Sequence, residues 1–479
     1  MSYCGYITIL KNVRPHPNAD RMLLADCFGN TVCVGLDAKE GDIVAYFPTD
    51  GQLSVEYCAQ NDLVRRKDEN GNPAGGYLDP DKRNIRAIKL RGEKSDGLTM
   101  PLESFAYTGI DLAELTIGTP ITTVNGHEIC QKYIPKSNHH TRAPGGNKTR
   151  KRKDPIAPLF QEHADTEQLA YNLAAFKPGD EIEISLKMHG TSQRTAHLPV
   201  LTGYKRTFWD KLLRRQGTPI YDWGYISGTR RVVLDTYDGG FYGSNEFRER
   251  HSKTFEGKLW KGETVYYEVV GFTHTGQPIM AEANNSKISD KDFVKQYGKT
   301  TVFSYGCSSV AEYEIILDEN GNNIGTNLVK PQSDIYVYRM TMTNEDGNVV
   351  EYTPDFMRYR CEQMGVKTVP VLWKGTIPIN DADFESFIPS EEDIVPQMVF
   401  LTAGEWIKDL AEQFYDGPDP IGKTHVREGV VVRILNRPTF TAYKHKNWSF
   451  KCLEGLVKDE ATAPDMEEAD GLEEDNCDE

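Results

Sequence analysis

The chain has 479 residues, 38% of them hydrophobic and 26% charged, with a formal net charge of −16, which leaves room for two or three domains, each with its own core. Apolar runs such as VVVRI (430–434) are far shorter than the ~20 residues needed to cross a bilayer, and MSYCGYITIL at the start lacks the basic-then-apolar order of a signal peptide; neither a membrane nor a secreted protein is expected. Nine cysteines with no CxxC pair and 11 histidines with no HExxH offer no zinc or disulfide framework, so the expected compartment is a reducing cytoplasm.

Residues 1–135 read as short strands. VCVGL (32–36), DIVAYF (42–47) and NIRAIKL (84–90) are apolar or alternating runs, separated by turn chemistry such as HPNAD (16–20) and PTDGQ (48–52). Dense short strands without helical periodicity predict a small β-barrel. The segment RAIKLRGEKSDGLTMPL (86–102) resembles the RLRGxxSxGL pattern of the OB-like modules that precede some RNA ligase domains, which implies a nucleic-acid-binding barrel.

A linker, residues 136–155, follows. Gly145 and Gly146 loosen it, and KTRKRK (148–153) holds five cations in six positions. That run suits a solvated hinge or a contact with phosphates, whose counterions each bound Lys or Arg releases. From 156 to 457 the elements lengthen. EIEISLKM (181–188), TVYYEVVGF (264–272), DIYVYRMTM (334–342) and REGVVVRI (427–434) have strand character; TPDFMRYRCEQMG (353–365) and AGEWIKDLAEQFY (403–415) have helical spacing. An α+β domain with antiparallel sheets is predicted. Residues 458–479 close the chain: positions 459–479 carry 11 acids and no base, supplying −11 of the −16 and leaving −5 elsewhere. Such a composition is expected to be a disordered, solubilising tail, with mimicry of phosphates as the alternative.

One lysine stands out. Lys187 in KMHGTS (187–192) ends an apolar strand, so it is positioned rather than mobile, and Gly190 permits close approach to the backbone. An amine attacks phosphorus only after losing its proton, which burial, nearby cations or a metal favour. By itself a lysine at a strand end is an ordinary surface residue; the segments downstream change its meaning. KMHG resembles the KxHG form of KxDG found in nick-sealing RNA ligases among the covalent nucleotidyltransferases. SGTRRVVL (227–234), YYEVVG (266–271), IYVYRM (335–340), REGVVVR (427–433) and YKHKNWSFK (443–451) follow in the order of that family's motifs. The resemblance covers most of 181–451.

It implies a ligase-type nucleotidyltransferase (adenylyltransferase) domain that uses ATP with Mg²⁺ or Mn²⁺ and has Lys187 as nucleophile. Arg230 is suited to the transferred phosphate, with Arg231 the competing choice because a strand turns only one of them inward. Glu268 is expected at the ribose and Tyr338 at the adenine face, with His189 and Gly190 beside the nucleotide. Glu428 is expected to orient the metal through hard oxygens. Lys444 and Lys446 share a strand face aimed at the triphosphate. Leu186 and Arg339 depart from the family pattern, as does an insertion around YEIILDENGNNIGTN (313–327). The implied partner is RNA, or an RNA-containing duplex, with a 5′-phosphate and a 3′-hydroxyl, acted on by a monomer. A DNA ligase or a capping guanylyltransferase is the rival within the class; a binding protein that lost its chemistry is the rival outside it. KMHG, the KxKNxxF tail and the short chain after it weigh against the first, and the complete set of charged residues against the second.

Overall fold

A computed structural model describes residues 3–454, apart from 50, 68–72, 92, 134–153, 214, 235, 238–241, 243, 289, 320–321, 380–384, 389–396 and 401. The acidic tail and the KTRKRK run lie outside the described residues. Among the described residues no helix is long and apolar enough to cross a membrane.

In the N-terminal region β1 (Gly5–Ile9), β5 (Ile43–Phe47), β8 (Leu98–Pro101) and β9 (Pro120–Ile121) form one sheet in the order β8-β5-β1-β9. A second sheet joins β2 (Lys11–Pro15), β3 (Leu23–Cys27) and β4 (Asn30–Val34). The strands fall where alternation places them, but the described pairings do not close into a barrel. They leave separate small sheets, among them the hairpin β6 (Ala87–Leu90)–β7 (Glu93–Asp96).

The C-terminal region holds two larger sheets of mostly antiparallel strands with helices against them, the α+β arrangement expected. Its elements are β10 (Glu181–Lys187), β11 (Thr191–Lys205), α1 (Phe208–Leu212), β12 (Thr218–Gly228), β13 (Glu263–Gly271), β14 (Ser333–Thr343), β15 (Val349–Glu351), α2 (Pro354–Met364), β16 (Val371–Thr376), α3 (Ala403–Tyr415), β17 (Gly429–Ile434), β18 (Thr441–Lys446) and α4 (Trp448–Leu453). One sheet runs from the short Glu167–Gln168 strand through β18-β17-β10-β16; the other runs Val233–Leu234, β12-β11-β13-β14-β15.

β10 shows why the sequence folds this way. In EIEISLK, Ile182 and Ile184 enter a core with Ile407 and Ala411 of α3, while Leu186 joins a second core with Val269, Val337 and Phe450. The intervening Glu183, Ser185 and Lys187 face a cleft. A strand of period two thus seats one face on packed apolar side chains and presents the other to a ligand. Helices start where their caps predict. Thr402 and Glu405 form a capping box on α3, and Thr353 caps α2, which stops at Gly365 in the left-handed region. At α4, Asn447 accepts from the amides of Ser449 and Phe450 and donates its own amide to the Glu428 carbonyl at 2.8 Å. That last bond ties the helix start to the entrance of β17.

Hairpin β6–β7, the segment carrying the RLRGxxSxGL likeness, docks on α4. Lys451 Nζ lies 2.8 Å from Asp96 Oδ2, and Lys94 Nζ lies 5.0 Å from the centre of the Trp448 ring. Burial pushes the Asp96 carboxyl up, but Lys451 outweighs it and holds the group below the usual carboxylate range.

Candidate active site

The turn Met188–Gly190 carries the chain from β10 in one sheet to β11 in the other. Residues of both sheets line a single cleft of about 1110 Å³ including its mouth: Lys187 and Glu183 on one side, and Ser192, Glu268 and Tyr338 on the other. Packing also demands a glycine at position 190. A Cβ at this position would sit 2.4 Å from the Val269 carbonyl, so it is strand β13 that comes close.

On the cleft floor charges are paired with little solvent. Lys187 Nζ lies 2.7 Å from Glu428 Oε1, with side chains 8% and 1% exposed. Lys446 Nζ lies 3.3 Å from the same oxygen and 3.0 Å from Glu454. Two ammonium groups therefore share one buried carboxylate, and Glu454 at the end of α4 supplies a second. Burying charge is costly unless it is paired, and the cluster meets that demand. His189 Nδ1 is 3.8 Å from Glu428 Oε2. Its ring is wedged edge-on between Phe303 and Phe450 at 4.6 and 4.7 Å, and its amide donates to the Tyr305 hydroxyl at 2.7 Å. Burial first, then the Glu428 charge, push the Tyr305 phenol well up.

KxKNxxF in this chain thus has a physical content. Lys444 and Lys446 lie on one face of β18, opposite Val431 and Gly429 of β17; Asn447 caps α4 and bonds the Glu428 backbone; Phe450 packs on His189. Lys444 is half-buried, whereas Lys446 is buried.

Arg230 and Arg231 require a correction. They sit on the bend after β12 rather than in a strand, so alternation does not choose between them. Arg230 lines the cleft, its side chain 20% exposed, and meets Asp165 at 3.1 Å; Arg231 is 44% exposed and meets Asp165 at 3.7 Å. The buried Arg194 donates to the Arg230 carbonyl at 2.6 Å and holds the bend.

Tyr338 faces the cleft from β14, its hydroxyl 2.9 Å from that of Ser192. His163 stacks on its ring at 5.1 Å and 24°. Leu186 is a core residue whose amide donates to the Pro370 carbonyl at 2.9 Å. Arg339 pairs with Glu351 of β15 at 3.0 Å, beside Arg433 on the same carboxylate at 3.2 Å. The departure at position 339 is thus a local exchange of charge partner. His163, Asp165 and Glu454 were not visible as site residues in the sequence. Only Glu454 had a signal: Asn447, Phe450 and Glu454 fall on one helical face.

No family model matches the chain, and no curated protein matches its sequence. Solved structures do. A Naegleria gruberi RNA ligase mutant with AMP and Mn superimposes at a TM-score of 0.50 and 16% identity, covering 92% of this chain and 96% of that one. The chain has the fold of an RNA ligase. The same ligase with PPi gives 0.50 and 16% over 93% and 97%, and another mutant with ATP and Mn gives 0.50 and 16% over 94% and 98%. The likeness spans both the N-terminal strands and the cleft-bearing sheets.

Proposed function

We propose that this chain is an ATP-dependent RNA ligase, organised as an OB-like nucleic-acid-binding module (1–135), a basic linker (136–155), a nucleotidyltransferase domain (156–457) and an acidic tail (458–479). The observation that carries the reading is the Lys187 amine, buried at the bottom of a cleft and ion-paired at 2.7 Å with a carboxylate that can take its proton. Lys187 Nζ attacks the α-phosphorus of ATP, forming an N–P bond as pyrophosphate leaves, and Glu428 is placed to accept the ammonium proton. The AMP then passes to a 5′-phosphate, which frees the amine, and a 3′-hydroxyl attacks that activated end and releases AMP.

Charge drives each step, because the reacting groups are anions and the protein's part is position and compensation. Lys444, Lys446 and Arg230 supply cations around the phosphates, Glu268 faces the ribose and Tyr338 the adenine. His189, Glu428 and Glu454 bring one ligand atom each within 4.8 Å of one another. This donor set, with two hard carboxylates, fits Mg²⁺ or Mn²⁺. When bound, the metal would offset phosphate charge. The eight described cysteines are free thiols, which suits a cytoplasmic setting.

Incubation with α-³²P-ATP tests the reading: an SDS-stable label is expected with ATP, none with GTP, and none in Lys187→Ala. Lys187→Ala should retain some sealing of a pre-adenylylated RNA nick. Labelling with GTP would support the capping alternative, and labelling of Lys187→Ala would overturn the assignment of the nucleophile.

A further inference from the structure

The arm formed by β11 and β12 has no part in the chemistry above. β11 pairs with β13 only from Thr191 to Ala196, opposite Val269 to Thr264. From Leu198 to Lys205 its pairing is with β12 alone. At ~3.3 Å per residue, the stretch from Ala196 to Lys205 carries the hairpin about 30 Å out from the sheet.

Its tip is built, not loose. The Thr207 amide and hydroxyl donate to Asp210 at 2.9 and 2.6 Å, Arg206 Nε donates to the Gln216 carbonyl at 3.1 Å, and the Arg215 amide donates to the Asp210 carbonyl at 2.8 Å. This ordered turn presents Phe208 and Trp209 to solvent, 73% and 65% exposed. Residues 205–215, KRTFWDKLLRR, contain five cations and one acid in a chain of net charge −16. The acid, Asp210, is engaged in the turn. Among the described residues, Lys205, Arg206 and Arg215 make no ion pair with a carboxylate.

We propose that this arm is a polynucleotide clamp: Lys205, Arg206 and Arg215 contact phosphates, and Phe208 and Trp209 contact sugars or bases, of the substrate duplex away from the join. Charge identifies the occupant. A cluster of arginine and lysine around exposed aromatics matches a polyanion with π-faced bases. Position supports it, because both strands are rooted at the cleft. Thr191 and Ser192 line it at the start of β11, and Thr229 and Arg230 line it just past β12. From Ser192 at the cleft to Lys205 the strand spans about 43 Å, so a duplex leaving the cleft toward the tip meets these cations about 13 base pairs on, at about 3.4 Å per pair. The proposal rests on the RNA ligase reading.

The test uses the full chain, a Lys205→Ala/Arg206→Ala/Arg215→Ala triple variant and a Phe208→Ser/Trp209→Ser double variant. Lysyl-AMP formation should stay at the wild-type rate in both, a control for folding. On nicked RNA duplexes with flanks of about 20 base pairs, the triple variant should bind at least about tenfold more weakly at 0.15 M salt, and its log–log salt slope should drop by roughly 2–3. With flanks of about 6 base pairs, too short to reach the tip, wild type and variants should converge. Equal binding and equal slopes on long flanks would overturn the clamp. So would loss confined to anionic vesicles, which would make the tip a membrane contact. If the wild type itself neither labels nor seals, the ligase reading fails; if it does both and the arm variants match it, the clamp alone fails.

Discussion

Replacing Glu428 by glutamine keeps the shape of the cleft floor and deletes one charge. Lys446 retains Glu454 at 3.0 Å, so the main loss falls on Lys187, which held Glu428 at 2.7 Å with both side chains almost fully buried. Unit charges about 4 Å apart at an effective dielectric near 20 attract by about 4 kcal/mol. Removing one member of a buried pair costs about 3–5 kcal/mol, because the other charge stays buried. Glu428→Gln should therefore unfold at lower urea, with a deficit of about 3–5 kcal/mol at pH 7. The mechanism makes a sharper demand. With one carboxylate fewer beside it, the buried Lys187 ammonium holds its proton less firmly in the folded state, while in the unfolded chain lysine keeps its proton up to about pH 10.4. The unfolded state then binds more protons, so the variant's stability rises with pH, and its deficit should shrink steadily between pH 7 and pH 10. Glu428→Gln/Lys187→Met should recover much of the loss at pH 7, since it removes the buried ammonium along with the carboxylate it lost. A deficit equal at both pH values and unrelieved by Lys187→Met would refute the reasoning.

Burial lowers the His251 ring from 6.5 to about 4, with its Nε2 2.8 Å from the Ser333 hydroxyl. Between those values the unfolded chain takes up the proton and the folded one does not, so stability should be full above about pH 6.5 and fall by about 3 kcal/mol toward pH 4. Urea titrations of His251→Gln should show a flatter pH dependence; an unchanged slope would remove His251 from the account. Tyr338→Phe should cost about 1 kcal/mol through the lost Ser192 bond while ATP use changes little, and Tyr338→Ala should raise the apparent KM for ATP much more. Equal KM changes in both would mean that the hydroxyl, not the ring, meets the nucleotide. Asp96→Asn should cost about 1–3 kcal/mol at neutral pH by stranding Lys451. Because the Asp96 carboxyl is held low, this contribution is present above the ordinary carboxylate range and fades as pH falls through it; a loss that persists undiminished at pH 3 would count against the pair.

Strands were legible where one face is buried. EIEISLK announces its period of two, and the same alternation put Lys444 and Lys446 on one face. Inference failed where the chain bends. Strand alternation would turn Arg230 and Arg231 to opposite faces, but the bend after Gly228 releases them from that rule, and Asp165, far upstream, is a partner of both. Gly190 also has the Val269 carbonyl pressing on it, a constraint that only the sheet pairing reveals. His163 against Tyr338 is a tertiary contact with no local pattern behind it. Closure of the N-terminal strands depends on pairings between distant segments, on which local periodicity is silent.

The strand order around β10 also governs when a reactive lysine can exist on a growing chain. EIEISLK emerges early, yet one neighbour, β16, starts at Val371 and the other, β17, at Gly429. At roughly 5–20 residues per second, synthesis leaves this strand without its second edge partner for roughly ten seconds to a minute. During that interval at least one edge offers unpaired amides and carbonyls, the usual route to misassembly, and the charges of Glu181, Glu183 and Lys187 along the strand discourage such pairing. Contacts so distant in sequence also make the final closure of the sheet slow. The carboxylate that holds the Lys187 amine is itself made only at residue 428, so a ribosome-bound or truncated chain carries the proposed nucleophile without its site. On the proposed function, chains cut short before β18 should accumulate as unlabelled protein, because Lys446 and Glu454 are still missing from the site.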